Sequence, residues 1–293
     1  VAGWLVGSEM CIRDRDHTGA YGPHLVRFLE REGVSWTVWN FDVDWSPTMI
    51  ADWDFTPTEQ GRFFQDVMLR AKNGTLRDAV LPSPRVVEYE WMSIERWREM
   101  FAEDLEVAGQ GGVDLLFLGD SITEMWPEDS FEANFDQYEP ANFGIGGDKT
   151  QNLLWRLRNG SVGTLDPEVV VLMIGVNNFG LGEDTPEDVY RGVEAVVDEV
   201  EAAFGDAEIL LLGILPYGEQ ADTPERAQVA ESNRLIAGLG ERERVHFHDI
   251  GAAFLQPDGT IAPEIMADFL HPTEAGYAVF AEQLAPLLEN LFD

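Results

Sequence analysis

The second half of the chain alternates short, wholly apolar runs with segments of helical periodicity. Residues 115–118, 169–174 and 209–212 are apolar at every position, which is typical of strands buried on both faces of a parallel sheet. The pattern therefore predicts an α/β fold, with a parallel sheet sandwiched by helices. The predicted strands are residues 113–118, 140–145, 169–174, 208–215 and 245–249, and the predicted helices are residues 149–158, 186–204, 224–239 and 273–291.

Residues 75–112 have a different pattern, and we interpret them as a linker followed by a packing helix. Pro82 and Pro84 punctuate an extended stretch, and glycines at 109, 111 and 112 end the segment. A helix is predicted over residues 90–107. Its apolar residues, at helical spacing, favour a packing face over a ligand-binding box. They are Trp91, Ile94, Trp97, Met100 and Phe101.

Residues 16–74, the cellulase-like block, predict a helix at 24–31, a strand at 35–41 and a helix at 58–72. Trp36, Trp39 and the segment 52–58 resemble the C-terminal end of glycoside hydrolase family 5 cellulases. The resemblance implies an incomplete β/α-barrel fragment. The catalytic glutamates of that family lie on earlier strands, so this block is not a working glycosidase. We interpret its tryptophans as core or platform remnants rather than as a binding site.

Residues 1–15 are interpreted as an artefact, because residues 5–15 resemble a translated sequencing adapter. Cys11, the only cysteine, lies inside this string. Without it the protein has no cysteine for a disulfide, a catalytic thiolate or a metal site. We expect the true gene to extend further upstream. The cellulase-like block favours an extracellular or periplasmic location.

The charge balance is strongly acidic: 54 acidic residues face 19 basic ones, for a net charge of -35. Such a surface repels phosphate backbones and anionic headgroups, so neither nucleic acid nor an acidic membrane is an expected partner. We interpret the excess as a solvated surface, which a saline habitat would suit. No apolar run approaches the ~20 residues needed to cross a bilayer.

Four short motifs follow one another along the second half of the chain. Each alone has an ordinary explanation, such as a helix N-cap, a tight turn or a surface histidine. Three of them come directly after a predicted strand, and ligands of such sheets bind beyond the carboxyl ends of the strands. The sequence therefore predicts one site at that edge. The motifs are Gly119-Asp120-Ser121, Gly144-Ile145-Gly146-Gly147-Asp148, Gly175-Val176-Asn177-Asn178 and Asp268-Phe269-Leu270-His271-Pro272.

His271 is the histidine with a surrounding motif, since Asp268 lies three residues ahead and a helix is predicted to begin near Thr273. Its unperturbed pKa near ~6.5 suits a general base, and Asp268 can hold its tautomer. The other four histidines have no such motif. They are His17, His24, His246 and His248. His246 and His248 share a strand face without a third ligand nearby, so no metal site is expected.

Together these motifs resemble the SGNH hydrolase superfamily, also called GDSL esterases, and most closely its branch of platelet-activating-factor acetylhydrolase catalytic subunits. The match runs from about residue 91 to the C-terminus. It is carried by residues 142–148, 154–160 and 175–178. The resemblance implies a three-layer α/β/α sandwich over residues 113–293, with the flavodoxin-like strand order 2-1-3-4-5 and no cofactor.

The resemblance also implies the role of each site residue. Ser121 would be the nucleophile, with Asp268 and His271 as the acid–base pair. The Gly147 N–H and the Asn177 side chain would be the oxyanion donors. In this branch, apolar residues equivalent to Ile122, Val176 and Leu270 cramp the acyl pocket.

The function predicted is therefore a serine esterase for short-chain, acetyl esters, acting on a small ester or on acetylated polysaccharide. The carbohydrate preference rests on the cellulase-like block. Two alternatives stay open, a phospholipid or lipid-ether acetylhydrolase and a non-catalytic carbohydrate-binding partner of a cellulase. Assembly into a homodimer is also left open.

Overall fold

The computed structural model describes residues 48–73 and 78–292, together with a few isolated positions between residues 22 and 44. The adapter-like string with Cys11 lies outside the described residues, and so does the strand predicted at residues 35–41 except for Trp36. The helix predicted at residues 24–31 is described only at isolated positions. The cellulase resemblance therefore stays a prediction.

Five parallel strands form one sheet with the order β2-β1-β3-β4-β5. This order confirms the predicted α/β fold. Neighbouring strands pair in register, so that Leu115 of β1 lies between Pro140 of β2 and Val169 of β3. The strands are β1 (Leu115–Gly119), β2 (Pro140–Gly144), β3 (Val169–Met173), β4 (Glu208–Leu212) and β5 (Val245–His248).

Helices flank the sheet, as predicted, and the four helices predicted between and after its strands agree closely with the observed ones. The described part of the chain contains the following α-helices. They are α1 (Glu59–Asn73), α2 (Ile94–Gln110), α3 (Ser121–Glu124), α4 (Glu128–Phe135), α5 (Thr150–Arg156), α6 (Val176–Gly180), α7 (Pro186–Ala203), α8 (Pro224–Ile236) and α9 (Glu274–Phe292). A π-helical turn, Leu157–Ser161, continues α5. None of the described helices is long and apolar enough to cross a membrane.

Every residue of β1 and β3 is buried, and these two strands form the centre of the core. α7 packs against α5 and α8, whereas α9 packs against α4. Local sequence helps to define these helices: Thr185 caps α7 in a reciprocal pair with Asp188, and Pro186 occupies its first turn. The two central strands are apolar and buried throughout, so polar side chains that follow them lie beyond their carboxyl ends.

Residues 78–92, expected to be connecting material, are hydrogen-bonded to α5. The Thr150 hydroxyl donates to the Ala79 carbonyl at 2.8 Å, and the Asn152 side chain donates to the Ser83 carbonyl at 2.8 Å. Val80 is buried in the main core. This stretch thus packs on the α/β fold. The division of the chain into domains stays a prediction.

The predicted packing face of α2 is confirmed at three positions and wrong at one. Trp97, Met100 and Phe101 are buried against Ile145 and Trp155 of the α/β fold. Trp91 instead precedes Ser93, the N-cap of α2, and its side chain is 57% exposed. The helix begins later than predicted because the Ser93 hydroxyl accepts from the Arg96 N–H and starts it there.

We expect Trp97→Ala to lower the free energy of unfolding by about 3–5 kcal/mol, since it leaves a large cavity in this face. Its indole N–H also donates to the buried Asp148 carboxylate at 2.7 Å. The measurement is urea denaturation of the full chain. The control is Trp53→Ala, which removes a 63% exposed side chain and should change stability by less than about 0.5 kcal/mol. Equally small changes in the free energy of unfolding for both variants would contradict the packing of α2 against the rest of the fold.

Candidate active site

Ser121 lies where β1 ends and α3 begins, as predicted. The Asp120 side chain caps α3 by accepting from the Ile122 N–H at 3.1 Å. As the first residue of the helix, Ser121 has a backbone N–H with no intrahelical acceptor. Its side chain is largely buried, 9% exposed. Both its hydroxyl and its N–H are thus held at the carboxyl edge of the sheet.

His271 and Asp268 come from the loop before α9 and reach the same edge. The Ser121 hydroxyl oxygen lies 2.9 Å from His271 Nε2, and His271 Nδ1 lies 2.6 Å from Asp268 Oδ2. The loop folds tightly because the other carboxylate oxygen, Oδ1, accepts from the N–H groups of Leu270 and His271, at 3.0 and 2.8 Å. The arrangement brings hydroxyl, imidazole and carboxylate into one line of hydrogen bonds.

The Asp268 carboxylate is held in its charged form. Partial burial by itself would raise its pKa, but the hydrogen bonds from the His271 ring and from the His271 and Leu270 N–H groups outweigh it and lower the pKa below the ordinary value. A carboxylate that remains charged beside the imidazole can orient the ring and stabilise an imidazolium.

Gly147 lies in the loop of residues 144–148, the glycine loop, with a backbone φ of +74°. Only glycine adopts this conformation at little cost. The residue before Gly147 is anchored, because the Gly146 N–H donates to the Glu124 carboxylate at 2.5 Å. A Cβ atom built on Gly146 would lie 3.6 Å from the Ser121 Cβ. The glycine loop therefore adjoins Ser121.

Asn177 lies in the first turn of α6, directly after β3, and is 8% exposed. Its side-chain amide donates to the Asp148 carbonyl at 3.1 Å, which ties it to the residue after Gly147. The three residues expected around the acyl group lie next to these positions. Ile122 and Val176 are buried, and Leu270 is half-buried against the core.

A buried ionic cluster under the glycine loop was not predicted. The Asp148 carboxylate is fully buried and accepts from the Arg156 guanidinium at 2.8 Å and from Arg85 at 3.3 Å. Arg156 also donates to Asp104 and to the carbonyl of Gly119, at 3.0 and 3.2 Å. Asp148 and Arg156 stand inside the quoted motifs, which could have pointed to them. Nothing in the sequence pattern marked Arg85 or Asp104.

Among the described residues, no three histidine, aspartate or glutamate side chains form a group able to hold a metal ion. His246 instead contacts Glu208, with 2.6 Å between His246 Nε2 and the carboxylate.

Known proteins are similar to this chain in sequence and in fold. The model of the GDSL-like Lipase/Acylhydrolase family matches residues 117–279. The chain belongs to this family. As a member of the GDSL family, it is a carboxylic ester hydrolase.

Two similar relatives are subunits of platelet-activating factor acetylhydrolase IB. The alpha2 subunit of Rattus norvegicus is 37% identical over 182 residues, covering 61% of this chain and 78% of the relative. The alpha1 subunit of Homo sapiens is 34% identical over 203 residues, covering 69% and 84%. A solved GDSL-like lipase of Bacteroides thetaiotaomicron shares the fold, with a TM-score of 0.52, 18% identity and coverage of 66% and 97%.

The Asp120 carboxyl, beside the GDSL-family serine, has an unusual environment. Burial raises its pKa to about 7, although the hydrogen bond from the Ile122 N–H opposes the change. In the unfolded chain the pKa is about 3.9. The native state therefore binds this proton more tightly, so the free energy of unfolding falls as the pH rises from about 4 to about 7 and then levels off.

We expect Asp120→Asn to flatten this dependence, because the amide keeps an oxygen for the cap and does not titrate. Between pH 5 and pH 8 its free energy of unfolding should fall by about 1–3 kcal/mol less than that of the wild type. Urea denaturation at several pH values measures the slope. Asp206→Asn, which alters a fully exposed side chain, should keep the wild-type slope. The same dependence of the free energy of unfolding on pH in all three proteins would contradict the raised pKa of Asp120.

Proposed function

We propose that this esterase cleaves short acyl esters, acetyl esters above all, by two-step acyl transfer through Ser121. The observation that carries the proposal is the line of hydrogen bonds from the Ser121 hydroxyl through His271 to Asp268, at 2.9 and 2.6 Å. A hydroxyl is a weak nucleophile at neutral pH, and a hydrogen-bonded base that is itself oriented by a carboxylate activates it.

In the first step His271 Nε2 takes the Ser121 proton as the serine oxygen bonds to the ester carbonyl carbon. The imidazolium, stabilised by Asp268, then gives that proton to the departing alcohol oxygen as the C–O bond breaks. In the second step water loses a proton to His271 and attacks the acyl-serine carbon. The carboxylic acid leaves, and the proton returns to Ser121.

Both steps pass through a tetrahedral oxyanion, for which we propose three donors. They are the N–H of Ser121 at the start of α3, the N–H of Gly147 and the amide of Asn177. One N–H of that amide already donates to the Asp148 carbonyl, which orients the group and leaves its second N–H for the oxyanion. Donors fixed before the reaction stabilise charge without reorganising.

We expect Ser121→Ala to abolish ester hydrolysis and Asn177→Ala to lower kcat by ~10²–10³, because loss of one oxyanion donor typically costs this much. Release of acetate from p-nitrophenyl acetate measures both. Asn134→Ala is the control, since that amide is exposed and donates only to the Ser130 carbonyl. Circular dichroism checks folding. A folded Ser121→Ala protein with wild-type turnover would end the proposal.

The preference for acetyl groups is supported by two observations. Ile122 and Val176 are buried beside the proposed nucleophile and donor, and Leu270 precedes His271. Side chains of this bulk leave little room for a long acyl chain. The relatives described above are, by name, acetylhydrolases.

We expect kcat/KM to be at least ~10-fold higher for an acetyl than for a butyryl p-nitrophenyl ester, since surplus methylenes in a cramped pocket cost about 1–3 kcal/mol each. Val176→Ala should narrow this ratio by enlarging the pocket. Val107→Ala, a partly exposed position on α2, should leave it unchanged. Comparable wild-type rates on acetyl and longer esters would contradict the assignment of the acyl pocket.

For the alcohol we propose a carbohydrate, as the cellulase-like block suggests. The second candidate is an acetylated lipid, which the names of the relatives favour. Family membership argues against a binding module without activity. Release of acetate from acetyl-xylan, compared with release from an acetylated choline phospholipid, separates the two candidates.

A further inference from the structure

Trp91 stands in a tight turn between the segment bonded to α5 and helix α2. Tyr89 and Met92 exchange two backbone hydrogen bonds across the turn, each 3.2 Å long. Met92 is buried in the cluster under α2, whereas Trp91 is 57% exposed. The turn thus holds a large aromatic side chain in solvent on an anchored backbone.

The Trp91 ring is stacked on the ring of Tyr89. Their centroids lie 4.9 Å apart and the planes differ by 8°. The Arg85 guanidinium lies 5.5 Å from the Tyr89 centroid, and Arg85 is itself buried and bonded to the Gly146 carbonyl at 2.6 Å. Stacking and this cation–π contact fix the orientation of Tyr89, and Tyr89 in turn supports Trp91.

Trp91 reaches the proposed oxyanion donor. A Cβ atom built on Gly147 would lie only 2.5 Å from Cη2 of the Trp91 ring. The edge of the indole therefore lies against the glycine loop, next to the place where an ester carbonyl would bind. A group stacked on Trp91 would be attached to, or next to, the reacting ester.

We propose that Trp91, supported by Tyr89, is the platform on which the sugar ring of an acetylated carbohydrate stacks while its acetyl group is cleaved at Ser121. The inference rests on the proposed function and names the alcohol side of the substrate. The faces of aromatic rings are electron-rich, and the C–H groups on one face of a pyranose are weakly positive and flat enough to cover an indole.

The surrounding charges favour a neutral alcohol over a phosphate-bearing one. Glu88 directly precedes the turn, and Glu90 lies in it. The Glu124 carboxylate accepts a hydrogen bond from the Gly146 N–H. Arg85 is buried, and Arg96 at the start of α2 is paired with Glu99 and Glu103. The exposed charged residues next to Trp91 in the sequence, Glu88 and Glu90, are carboxylates, which repel a phosphate.

The test is the preference among three acetyl esters: an acetylated xylo-oligosaccharide, ethyl acetate, which has no ring, and an acetylated choline phospholipid. Trp91→Ala should lower the ratio of kcat/KM for the oligosaccharide to that for ethyl acetate by about 10-fold, the loss of one aromatic contact. Trp91→Phe, which keeps a ring, should lower it less. Trp53→Ala, which removes another exposed tryptophan, should leave the ratio unchanged.

Binding is measured separately, by titration calorimetry of the same oligosaccharide into Ser121→Ala and into Ser121→Ala/Trp91→Ala. The second protein should bind about 10-fold more weakly. Equal affinities, an unchanged ratio, or a loss confined to the choline lipid would overturn the platform. A wild type that cleaves none of the esters would instead overturn the proposed function, and the calorimetry would still decide the role of Trp91.

Discussion

The carboxyl edge of the sheet, where the proposed site lies, depends on the hydrogen bonds and ion pairs of the buried Asp148 carboxylate. This carboxylate accepts from the indole N–H of Trp97 on α2, from Arg156 at the end of α5 and from Arg85 in the preceding segment. Its own backbone carbonyl accepts from Asn177. One residue of the glycine loop thus joins four parts of the chain. Removal of Arg156 would take away the cation that Asp148 and Asp104 share, and breaking a buried ion pair in this way typically costs about 3–5 kcal/mol.

This cluster explains why residues before the sheet belong with the site. An apolar contact would have been enough to hold α2 against α5, but it would not define the position of a loop. Hydrogen bonds do so because each has a preferred length and direction. Arg156 also binds the Gly119 carbonyl at the end of β1. The ends of β1 and β2, and with them Ser121 and the glycine loop, are therefore held relative to each other.

The segment before the sheet also contributes to the surface beside the proposed catalytic site. The residues of that proposed site come from the family motifs. Trp91 lies outside residues 117–279, which the family model matches, yet its ring meets Gly147. The proposed nucleophile, base and donors account for cleavage of an ester bond. The rest of the substrate would contact the residues around this proposed site, and Trp91 is an exposed aromatic residue there.

The sequence alone determined the sheet, the positions of its strands to within a few residues and the candidate residues, because apolar periodicity and motifs such as Gly119-Asp120-Ser121 are local patterns. It could also place these residues at one edge, since parallel strands end together. Only the tertiary structure decided that Arg85 and Trp97 bind Asp148 and that Trp91 lies outside the helix against Gly147. Such contacts join residues tens of positions apart in the chain, whereas a periodic pattern indicates which face of a helix is buried but not which residue it meets there.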